Sequence, residues 1–454
     1  MAGLLVRSLK RRFNTCQILS LRQTNALFRP FDSSSTMPTN PFLYEHVDNV
    51  ERLDFYRTGG YHPIQPGDRL DGRYRVVHKL GYGTHSTIWL ARDDRQVKYV
   101  AVKVGTADSD EKEADILSRI ADLTGEGEGR ENALIPPVLD RFSISGPNGR
   151  HPCFVTTPAR CSLADAKGVS ACGLFQLDVA RSLAGQVVTA VANTHDKGYV
   201  HGDLHLGNIL LQLPSRLDRL SEEQLYGEFG SPDPEPVRMA DGKPLAPGVP
   251  SHVFSPVWLG EASEKLSVLE AKVLVADFGV AFCPGQESRF ESYTPLEIRP
   301  PEARFEPSKP LSFASDIWSL ACTIWAILGQ RPFLDTFLIS QDDATSDQVD
   351  ALGPLPPEWW EKWGTRSRRF AGNGKPKEGR LAWSWDQRFE DSIQEPRRDE
   401  GMETLDERER DALFDMVRWM LAFRPEDRPS ARQVLETAWM KNWAIPARDK
   451  TWER

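Results

Sequence analysis

Apolar and polar residues alternate along the first regularly patterned part of the chain, from Arg73 to about residue 157. Runs such as "RYRVVHKL", "TIWLARD" and "KYVAVKV" show the period of two that half-buried strands require. Residues 110–123 instead repeat their apolar positions every three or four residues, which predicts a helix. Two further runs are joined by a turn at residues 147–149. Residues 73–157 are therefore predicted to form a small β-rich domain with one helix.

Beyond residue 158 the apolar spacing becomes that of helices. "LDVARSLAGQVVTAVANTHDKG" predicts a long amphipathic helix that ends at Gly198, and "FASDIWSLACTIWAILG" predicts a strongly apolar one. Two polar stretches interrupt this helical domain, which is predicted to span residues 158–445 and to leave 446–454 as a tail. Residues 214–270 predict a loosely ordered insertion around one short helix, "SEEQLYGEF", and residues 334–404 predict a second, tryptophan-rich insertion.

The composition narrows the class of protein. Of the 454 residues, 40% are hydrophobic and 27% are charged, which is typical of a soluble globular protein. No apolar run approaches the roughly 18 residues that a membrane-spanning helix needs, so we expect no membrane insertion. The six cysteines are scattered without a CxxC pair, which argues against a metal or disulfide framework. The net charge of −9 disfavours direct binding to nucleic acid and favours a cationic partner.

The N-terminal 36 residues differ from the rest in charge. They hold six Arg or Lys residues against a single acid, Asp32, and they are rich in Ser. This composition is typical of a mitochondrial presequence, and equally of a disordered basic tail ahead of a start at Met37. We therefore treat residues 1–40 as a tail and expect an extended lead-in over residues 41–72.

Polar features of the β-rich domain carry its candidate chemistry. Gly81 and Gly83 of "GYGTHS" lie on a turn between two predicted strands, where glycine lets backbone amides approach phosphates or simply closes a hairpin. Lys103 lies in the apolar strand "VAVKV", so it either faces solvent at a sheet edge or, if buried, needs a charge partner. Glu113, on the helix that follows, supplies a carboxylate for the second alternative.

The helical domain contributes oxygen atoms on two turns. Asp203 and Asn208, spaced D-x-x-x-x-N in "YVHGDLHLGNIL", would place a carboxylate beside a hydroxyl nucleophile and an amide oxygen beside a metal ion. Asp277 in "VADFG" supplies a second hard oxygen of the kind that Mg²⁺ prefers. Each turn taken alone also fits an ordinary Asx or hairpin turn. Both turns in this order favour phosphate and Mg²⁺ chemistry.

The motifs follow one another as G-x-G, VAVK, a helix with Glu, HGDLHLGN, DFG and PPE. Over residues 73–445 this order resembles the eukaryotic protein kinases. The resemblance implies an α+β, bilobal fold with a small β-rich N-lobe (73–157) and a larger, mainly α-helical C-lobe (158–445). "HGDLHLGN" also resembles the loop of aminoglycoside and choline phosphotransferases, which act on small molecules. "RPPEARF", "SDIWSLAC" and "FRPEDRPSARQVL" favour the protein kinases, in which Glu302 pairs with Arg428 and Asp316 is structural.

The kinase resemblance implies a role for each residue that matches a motif. Asp203 orients the substrate hydroxyl and accepts its proton, Lys103 held by Glu113 binds the α- and β-phosphates of ATP, and Asn208 with Asp277 holds Mg²⁺. His205 replaces a lysine that neutralises the transferring phosphate, so we expect slower turnover or only a hydrogen bond from this residue. The remaining ATP-binding residues are the loop Gly81, Tyr82, Gly83, Thr84, His85 and Ser86, the adenine contacts Leu80, Ile88, Ala101 and Leu210, the gatekeeper Thr156 and the hinge at Thr157 and Ala159.

Several stretches resemble the SR-protein kinases, which phosphorylate arginine/serine-rich splicing factors. They are "YRTGGYHPIQPGDRLDGRYRVVHKLGYGTHSTIWLARD", "FSISGPNGRHPCFV" and "DIWSLAC", together with the placing of a long insertion between Asn208 and Asp277. The resemblance implies a monomeric serine/threonine kinase of the cytoplasm and nucleus that acts on Arg/Ser-rich proteins, whereas the Arg-rich start favours the mitochondrion. Gly202 stands in place of the HRD arginine, so we expect activity without activation-loop phosphorylation.

Substrate recognition and catalytic competence leave alternatives open. Acids of the second insertion, Asp342, Asp347, Glu358 and Glu361, either dock an arginine-rich peptide through carboxylate–guanidinium pairs or form an ordinary solvated charge run. The nearby tryptophans 359, 360, 363, 383 and 385 are predicted to pack the insertion. A pseudokinase scaffold is a further alternative, and it is disfavoured because only the lysine position occupied by His205 departs from the phosphate- and metal-binding pattern.

Overall fold

A computed structural model of the protein describes residues 43–122, 134–334, 340–372, 374–378 and 382–452. The basic segment 1–40, predicted as a tail or presequence, lies outside the described residues. The described chain divides into two compact units. Unit 1 consists of residues 43–110, 140–156 and 215–259, and unit 2 consists of the described residues of 111–139, 157–214 and 260–452.

The strands and helices of the described residues are numbered in chain order. The strands are β1 (Arg69–Leu70), β2 (Tyr74–Gly83), β3 (Ser86–Asp93), β4 (Lys98–Gly105), β5 (Asp140–Gly146), β6 (Gly149–Thr156), β7 (Ala159–Ser162), β8 (Ile209–Gln212), β9 (Pro234–Pro236), β10 (His252–Phe254) and β11 (Val273–Val275). The helices are α1 (Lys112–Asp122), α2 (Leu163–Val169), α3 (Leu177–Asp196), α4 (Glu222–Phe229), α5 (Glu302–Phe305), α6 (Phe313–Leu328), α7 (Gln341–Leu352), α8 (Pro357–Lys362), α9 (Trp385–Phe389), α10 (Glu395–Asp399), α11 (Glu407–Met420), α12 (Ala431–Leu435) and α13 (Ile445–Trp452).

Unit 1 is built on an antiparallel six-stranded sheet with the order β1-β2-β3-β4-β6-β5. β2 and β3 form a hairpin whose last pair is Gly83 opposite Ser86, so the glycine motif lies at the hairpin tip. β5 and β6 form the second predicted hairpin, in which Gly146 lies opposite Gly149. Val76 and Val102 of the central strands are fully buried. Burial of such residues explains the apolar pattern of these strands.

The lead-in is folded, although the sequence predicted only an extended segment there. Its side chains Leu53, Tyr56 and Tyr61 are buried in one cluster with Val237 and Val253 of the first insertion. The prediction of a merely extended lead-in therefore missed this packing. The reason is that the apolar residues of the lead-in find their partners far away in the sequence, where no local pattern reveals them.

The first insertion also departs from the prediction. Its short helix is confirmed as α4, but residues 215–259 are not loosely ordered. The Tyr226 hydroxyl of α4 donates to the Val77 carbonyl (3.3 Å), and the His78 ring bonds to the Gly230 carbonyl (2.8 Å). These residues join the sheet in unit 1, whereas the sequence placed the whole insertion in the helical domain.

Unit 2 is mainly helical, and a three-stranded sheet with the order β11-β8-β7 belongs to it. Nearly all of α6 is buried, including Trp318 and Trp325, which accounts for its apolar sequence on every side. The prediction of a tail after residue 445 is wrong for residues 446–452, because α13 covers them and Thr451 hydrogen-bonds to Ser182 of α3 (2.6 Å). Among the residues described, no helix combines the length and apolar character that crossing a membrane requires.

The second insertion is a set of short helices, α7 to α10, within unit 2. Trp359 and Trp363 are buried with Phe305 and Phe370, so the packing role predicted for these tryptophans is confirmed. Trp383 differs from them because 42% of it is exposed. Most of this polar stretch is thus organised around its aromatic residues.

Candidate active site

The catalytic loop of unit 2 runs from His201 to Asn208, between the bridge that joins Val200 to Phe282 and the start of β8. Asn208 folds back on the loop: its amide nitrogen donates to the Asp203 carbonyl (2.8 Å) and lies 3.3 Å from Asp203 Oδ2. The other carboxylate oxygen, Asp203 Oδ1, is buried and has no hydrogen-bond partner among the described residues. Because a buried acceptor without a donor is costly, this atom is suited to bind a substrate hydroxyl.

Asp316 of α6 orients the first half of the loop. Its carboxylate accepts hydrogen bonds from the backbone amides of His201 (2.7 Å) and Gly202 (2.9 Å) and contacts the ring nitrogen of His195 (2.9 Å). Burial by itself would raise the pKa of Asp316, but the hydrogen bonds and the neighbouring histidines outweigh it and lower that pKa. The carboxylate therefore stays ionised and holds both amides in place.

His205 lies beside the carboxylate of Asp203. Its Nδ1 accepts a hydrogen bond from the Gly207 amide (3.0 Å), so in the neutral ring the proton is on Nε2. Nε2 lies 3.6 Å from Asp203 Oδ2, which is beyond hydrogen-bond distance. His205 thus offers an N–H donor next to Asp203, whereas a lysine would offer a fixed positive charge.

Gly202 has a backbone that suits glycine. Its φ is +80°, and a Cβ at this position would lie 3.3 Å from the Val280 carbonyl oxygen, so an arginine would require a backbone shift. The sequence did not indicate that another cation lies near this loop. Burial lowers the pKa of Arg299, and the nearby carboxylates of Glu297 and Asp203 oppose that shift. No motif marks Arg299, so only the fold reveals it.

The DFG turn packs against the catalytic loop within unit 2. Phe278 is fully buried, and its ring meets the His201 ring edge-on with 4.8 Å between centroids. The His201 ring also bonds to the Ala276 carbonyl (3.0 Å). Asp277 has φ +64°, a left-handed conformation that is uncommon for residues other than glycine and that is found at functional sites.

Helix α1 is part of unit 2, although the sequence placed it with the β-rich domain. Glu113 lies next to the DFG turn, since a Cβ built on Gly279 would be 3.9 Å from Glu113 Oε2. Further along the helix, a side-chain hydrogen bond with Tyr199 raises the pKa of Arg119. These contacts join α1 to the segments on both sides of the catalytic loop. The predicted ion pair of Glu113 with Lys103, a residue of unit 1, stays a prediction.

A third contact joins α1 to the activation segment, the name used here for residues 280–301 between the DFG turn and Glu302. Glu287 accepts hydrogen bonds from Lys112 of α1 (2.9 Å) and from Arg289 (2.7 Å). Both hydrogen bonds lower the pKa of Glu287, and the bond from Arg289 has the larger effect. None of these three residues belongs to a sequence motif, so their contact was not predicted from the sequence. The fold brings them together.

Glu302 and Arg428 form a buried ion pair, as the sequence predicted. Two guanidinium nitrogens of Arg428 donate to the two Glu302 oxygens at 2.8 and 2.7 Å. The same guanidinium also donates to the carbonyls of Ala314, Ala422 and Phe423. Because all of these donors are used, the buried charges are compensated.

The ATP-binding residues predicted in the β-rich domain lie on adjacent strands of unit 1. Leu80 to Gly83 end β2, Thr84 and His85 form the turn, and Ser86 begins β3. The register places Ile88 opposite Lys103 and Ala101 opposite Thr156. The Lys103 ammonium lies 5.9 Å from the ring centroid of Phe154. The Thr156 hydroxyl is buried without a hydrogen-bond partner among the described residues.

The other predicted adenine-site residues belong to unit 2. Thr157 precedes β7, Ala159 lies opposite Gln212 in the small sheet, and Leu210 lies opposite Leu274. The role of Thr157 and Ala159 as the hinge and that of Leu210 as an adenine contact stay predictions.

The chain is similar in sequence and in fold to known protein kinases. No family model matches the chain. It is 24% identical to a serine/threonine protein kinase of Aspergillus fumigatus, over 86% of this chain and 90% of the relative. It is 27% identical to the serine/threonine-protein kinase SRPK of Physarum polycephalum, over 88% of this chain and 92% of the relative. A crystal structure of a kinase domain matches 84% of this chain and 98% of its own, with a TM-score of 0.55 and 18% identity, which shows the kinase fold.

The chain is a relative of the serine/threonine protein kinases. Protein kinases act on proteins with ATP and a divalent metal ion, and the site of this chain has residues that fit the metal ion. The side-chain amide nitrogen of Asn208 donates to Asp203, so the side-chain amide oxygen is the atom that could bind a metal ion. Asp277 would add a carboxylate. No group of three or more His, Cys, Asp or Glu residues in the described ranges forms a metal cluster. Mg²⁺ often takes only one or two protein oxygens besides phosphates and water, so this donor set fits.

Proposed function

We propose that the protein is an ATP- and Mg²⁺-dependent serine/threonine kinase that phosphorylates Ser or Thr hydroxyls in Arg/Ser-rich proteins such as splicing factors. The observation that carries the transfer step is the Asp203 carboxylate, which has one buried oxygen without a donor on a loop oriented by Asn208 and Asp316. Such a carboxylate is the group that a hydroxyl nucleophile requires.

In the proposed reaction Asp203 Oδ1 accepts the hydrogen bond of the substrate hydroxyl and then its proton. The hydroxyl oxygen forms a new bond to the γ-phosphorus of ATP as the bond to the bridging oxygen breaks, and ADP leaves with that electron pair. His205 Nε2–H, beside Asp203, would donate to an oxygen of the transferring phosphoryl group. Mg²⁺ held by Asn208 and Asp277 would neutralise phosphate charge. Lys103, held by Glu113, would bind the α- and β-phosphates. Positioning and charge neutralisation supply most of the rate.

We further propose that the kinase is active without activation-segment phosphorylation. With glycine at position 202, the catalytic loop offers no arginine there to bind a phosphate. Glu287 already carries a negative charge bonded to Lys112 of α1 and to Arg289, so it performs the bridging that a phosphate performs elsewhere. The proposal predicts full activity of protein made in bacteria and treated with phosphatase. A large loss of activity after phosphatase treatment would contradict it.

A cavity in unit 2 that is lined by several aspartates is the basis for proposing an arginine-rich substrate. It has a volume of about 310 Å³ and is lined by Asp347, Asp350, Asp391 and the exposed Trp383, together with Arg331 and Arg388. Arg388 pairs with Asp347 (2.6 Å). A guanidinium would find carboxylates and an indole face there. We propose that this cavity, named here the acidic cavity, takes an arginine side chain of the substrate.

The four acids for which substrate docking was one alternative are all paired with arginines of the chain, including Asp347 with Arg388. Asp342 pairs with Arg304, Glu361 pairs with Arg366, and Glu358 pairs with Arg424. The proposal therefore rests on the acidic cavity rather than on the whole charged run. It is tested with the Asp350→Asn/Asp391→Asn double variant, for which we expect a several-fold higher KM for an Arg-Ser peptide and an unchanged KM for ATP. An unchanged peptide KM would contradict the docking role.

Incubation of the purified full chain with labelled ATP, Mg²⁺ and an Arg-Ser repeat peptide tests the function itself. We expect label on serine, lost in Asp203→Asn, and much less transfer to a matched Lys-Ser peptide. Transfer only to aminoglycosides or choline would replace our proposal with a small-molecule phosphotransferase. Nucleotide binding without transfer to any acceptor would indicate a pseudokinase scaffold.

Oligomeric state and location complete the proposal. We propose a monomer, which sedimentation of the purified chain tests. By family resemblance we propose the cytoplasm and nucleus, and the alternative is the mitochondrion because of the Arg-rich residues 1–36. Imaging of the full chain and of a variant that lacks residues 1–36 distinguishes the two locations.

A further inference from the structure

We propose that Tyr61 of the lead-in is a positioning residue that orients the glycine loop, Gly81 to Ser86, for the phosphates of ATP. This inference rests on the proposed function, in which the glycine loop covers the nucleotide. It adds a residue outside the kinase motifs that determines nucleotide affinity.

The Tyr61 hydroxyl contacts the tip of the loop directly. It donates to the carbonyl oxygen of Gly83 (2.7 Å) and lies 3.1 Å from the carbonyl oxygen of Thr84. These carbonyls belong to the turn between β2 and β3, where Gly83 and Thr84 are exposed, whereas Tyr61 is only 2% exposed. A rigid, buried donor therefore holds two successive peptide groups of an exposed turn.

The direction of these carbonyls determines where the loop amides point. In a trans peptide unit the C=O of one residue and the N–H of the next point in opposite directions. The carbonyls of Gly83 and Thr84 point toward Tyr61, so the amides of Thr84 and His85 point away from it. Two N–H groups directed to the same side form the arrangement that binds phosphate oxygens. Tyr61 thus sets the orientation of the two amides that the loop would present to the nucleotide.

Tyr61 is itself firmly held. Its carbonyl accepts a hydrogen bond from the Asn148 side chain (2.7 Å), and its amide donates to the Phe55 carbonyl (3.0 Å). Its ring lies 5.5 Å from the ring of Tyr56 in the apolar cluster formed with the first insertion. At the preceding residue, Gly60, a Cβ would lie 1.8 Å from the Phe55 carbonyl oxygen. Only glycine therefore allows the backbone at position 60 to lie this close to Phe55. The hydroxyl is therefore at a fixed position.

A second contact holds the strand that leads into the loop. Lys79 of β2 is buried and pairs with Glu51 of the lead-in, and its carbonyl accepts a hydrogen bond from the Val257 amide of the first insertion (2.8 Å). The Lys79 ammonium also lies 5.2 Å from the ring centroid of Tyr82, a loop residue. Lead-in and insertion thus fix both the base and the tip of the loop.

The hydroxyl stays protonated under assay conditions, so it acts as a donor at every pH at which the kinase is measured. Burial raises the pKa of Tyr61 to about 12. Removing one such hydrogen bond in a position that matters for binding reduces affinity by a factor of about 3 to 10. The expected effect falls on nucleotide binding because, within the part of the chain that the structure describes, the hydrogen bonds of the Tyr61 hydroxyl go to the glycine loop.

The test compares Tyr61→Phe with Tyr44→Phe, a hydroxyl deletion in a tyrosine that packs on the edge of the same apolar cluster. Each full-length variant is titrated with a fluorescent ATP analogue in the absence of peptide, and its KM for ATP, its kcat and its thermal unfolding are measured. For Tyr61→Phe we expect about three- to tenfold weaker nucleotide binding and a KM for ATP raised to match. The kcat should stay within about twofold and the unfolding temperature close to that of the wild type.

The proposal is overturned if Tyr61→Phe binds the analogue as tightly as the wild type. It is equally overturned if Tyr44→Phe loses the same affinity, because the effect would then come from the cluster and not from the loop contact. The binding titration needs no peptide substrate. Failure of the proposed kinase function would therefore appear as nucleotide binding without transfer by the wild type, a result separate from either of these.

Discussion

The catalytic loop of unit 2 and the glycine loop of unit 1 are held in different ways. Asp316 and Asn208, both at motif positions, bind the backbone of the catalytic loop through polar contacts. The glycine loop is held by Tyr61 and Lys79, with support from the lead-in and the first insertion, none of which belongs to the motifs that carry phosphate or metal chemistry. The catalytic loop is therefore held by residues of the motifs themselves, whereas the glycine loop depends on segments outside those motifs.

This difference indicates which properties can vary independently. A change in the support of the catalytic loop alters the position of Asp203 and hence the transfer step. A change in the lead-in or the first insertion alters the glycine loop and hence nucleotide affinity. The comparison predicts that variants of unit 2 support act mainly on kcat and that variants of unit 1 support act mainly on the KM for ATP.

The largest effect is expected from Asp203→Asn. The amide keeps the shape of the side chain but cannot accept the hydroxyl proton, so kcat should fall by about 10² to 10⁴. Transfer of labelled phosphate measures the loss, and an unchanged unfolding temperature shows that the fold is intact. Substantial residual turnover in this variant would remove Asp203 from the proposed role.

A large effect on both activity and stability is expected from Asp316→Ala. The substitution leaves the buried amides of His201 and Gly202 without their acceptor, which costs about 2–5 kcal/mol in the free energy of unfolding. We expect kcat to fall at least tenfold while the KM for ATP changes little. Asp316→Asn, which keeps one acceptor oxygen, is the matched control and should be affected less. A change mainly in KM would break the comparison of the two loops.

An intermediate effect is expected from Leu53→Ala in the lead-in. The lost apolar contacts in the cluster with Val237 and Val253 should cost about 2–3 kcal/mol in the free energy of unfolding and raise the KM for ATP several-fold. Denaturant unfolding and ATP titration measure both quantities. Leu43→Ala, at an exposed position, is the control and should leave both unchanged. A fall in kcat at constant KM would contradict the assignment of the lead-in to nucleotide binding.

The smallest effect is expected from Glu287→Gln. The pKa of Glu287 is below its usual value, so its charged contacts add stability above the ordinary carboxylate range and lose it as the pH falls through the lower, folded-state value. The unfolding temperature of the variant should therefore be lower than that of the wild type at pH 7, and the gap should close in acid. We also expect a two- to fivefold loss of kcat. Glu291→Gln, on the same segment, is the control, and a gap that persists in acid would contradict the ion-pair role.

The motifs could be predicted from the sequence because their residues are close together along the chain and act through local backbone. The catalytic loop, the DFG turn and the glycine hairpin were anticipated in this way. The Glu302–Arg428 pair joins residues 126 positions apart, and this pair and the kinase fold were anticipated from the resemblance to protein kinases instead. The acids Asp342, Glu358 and Glu361 show where this approach fails, because a carboxylate in a polar stretch looks the same whether it faces a ligand or an arginine of its own chain.

The sequence by itself determined the chemistry of this protein: which residues can accept a proton, bind phosphate and hold Mg²⁺, and the order in which they occur. Only the tertiary structure decided that the lead-in and residues 215–259 fold with the sheet, that α1 belongs to unit 2, and that Tyr61 contacts the glycine loop. The physical reason is that apolar burial has no direction and joins residues at any separation in the sequence. Polar motifs act through defined local geometry and can be recognised before the chain is folded.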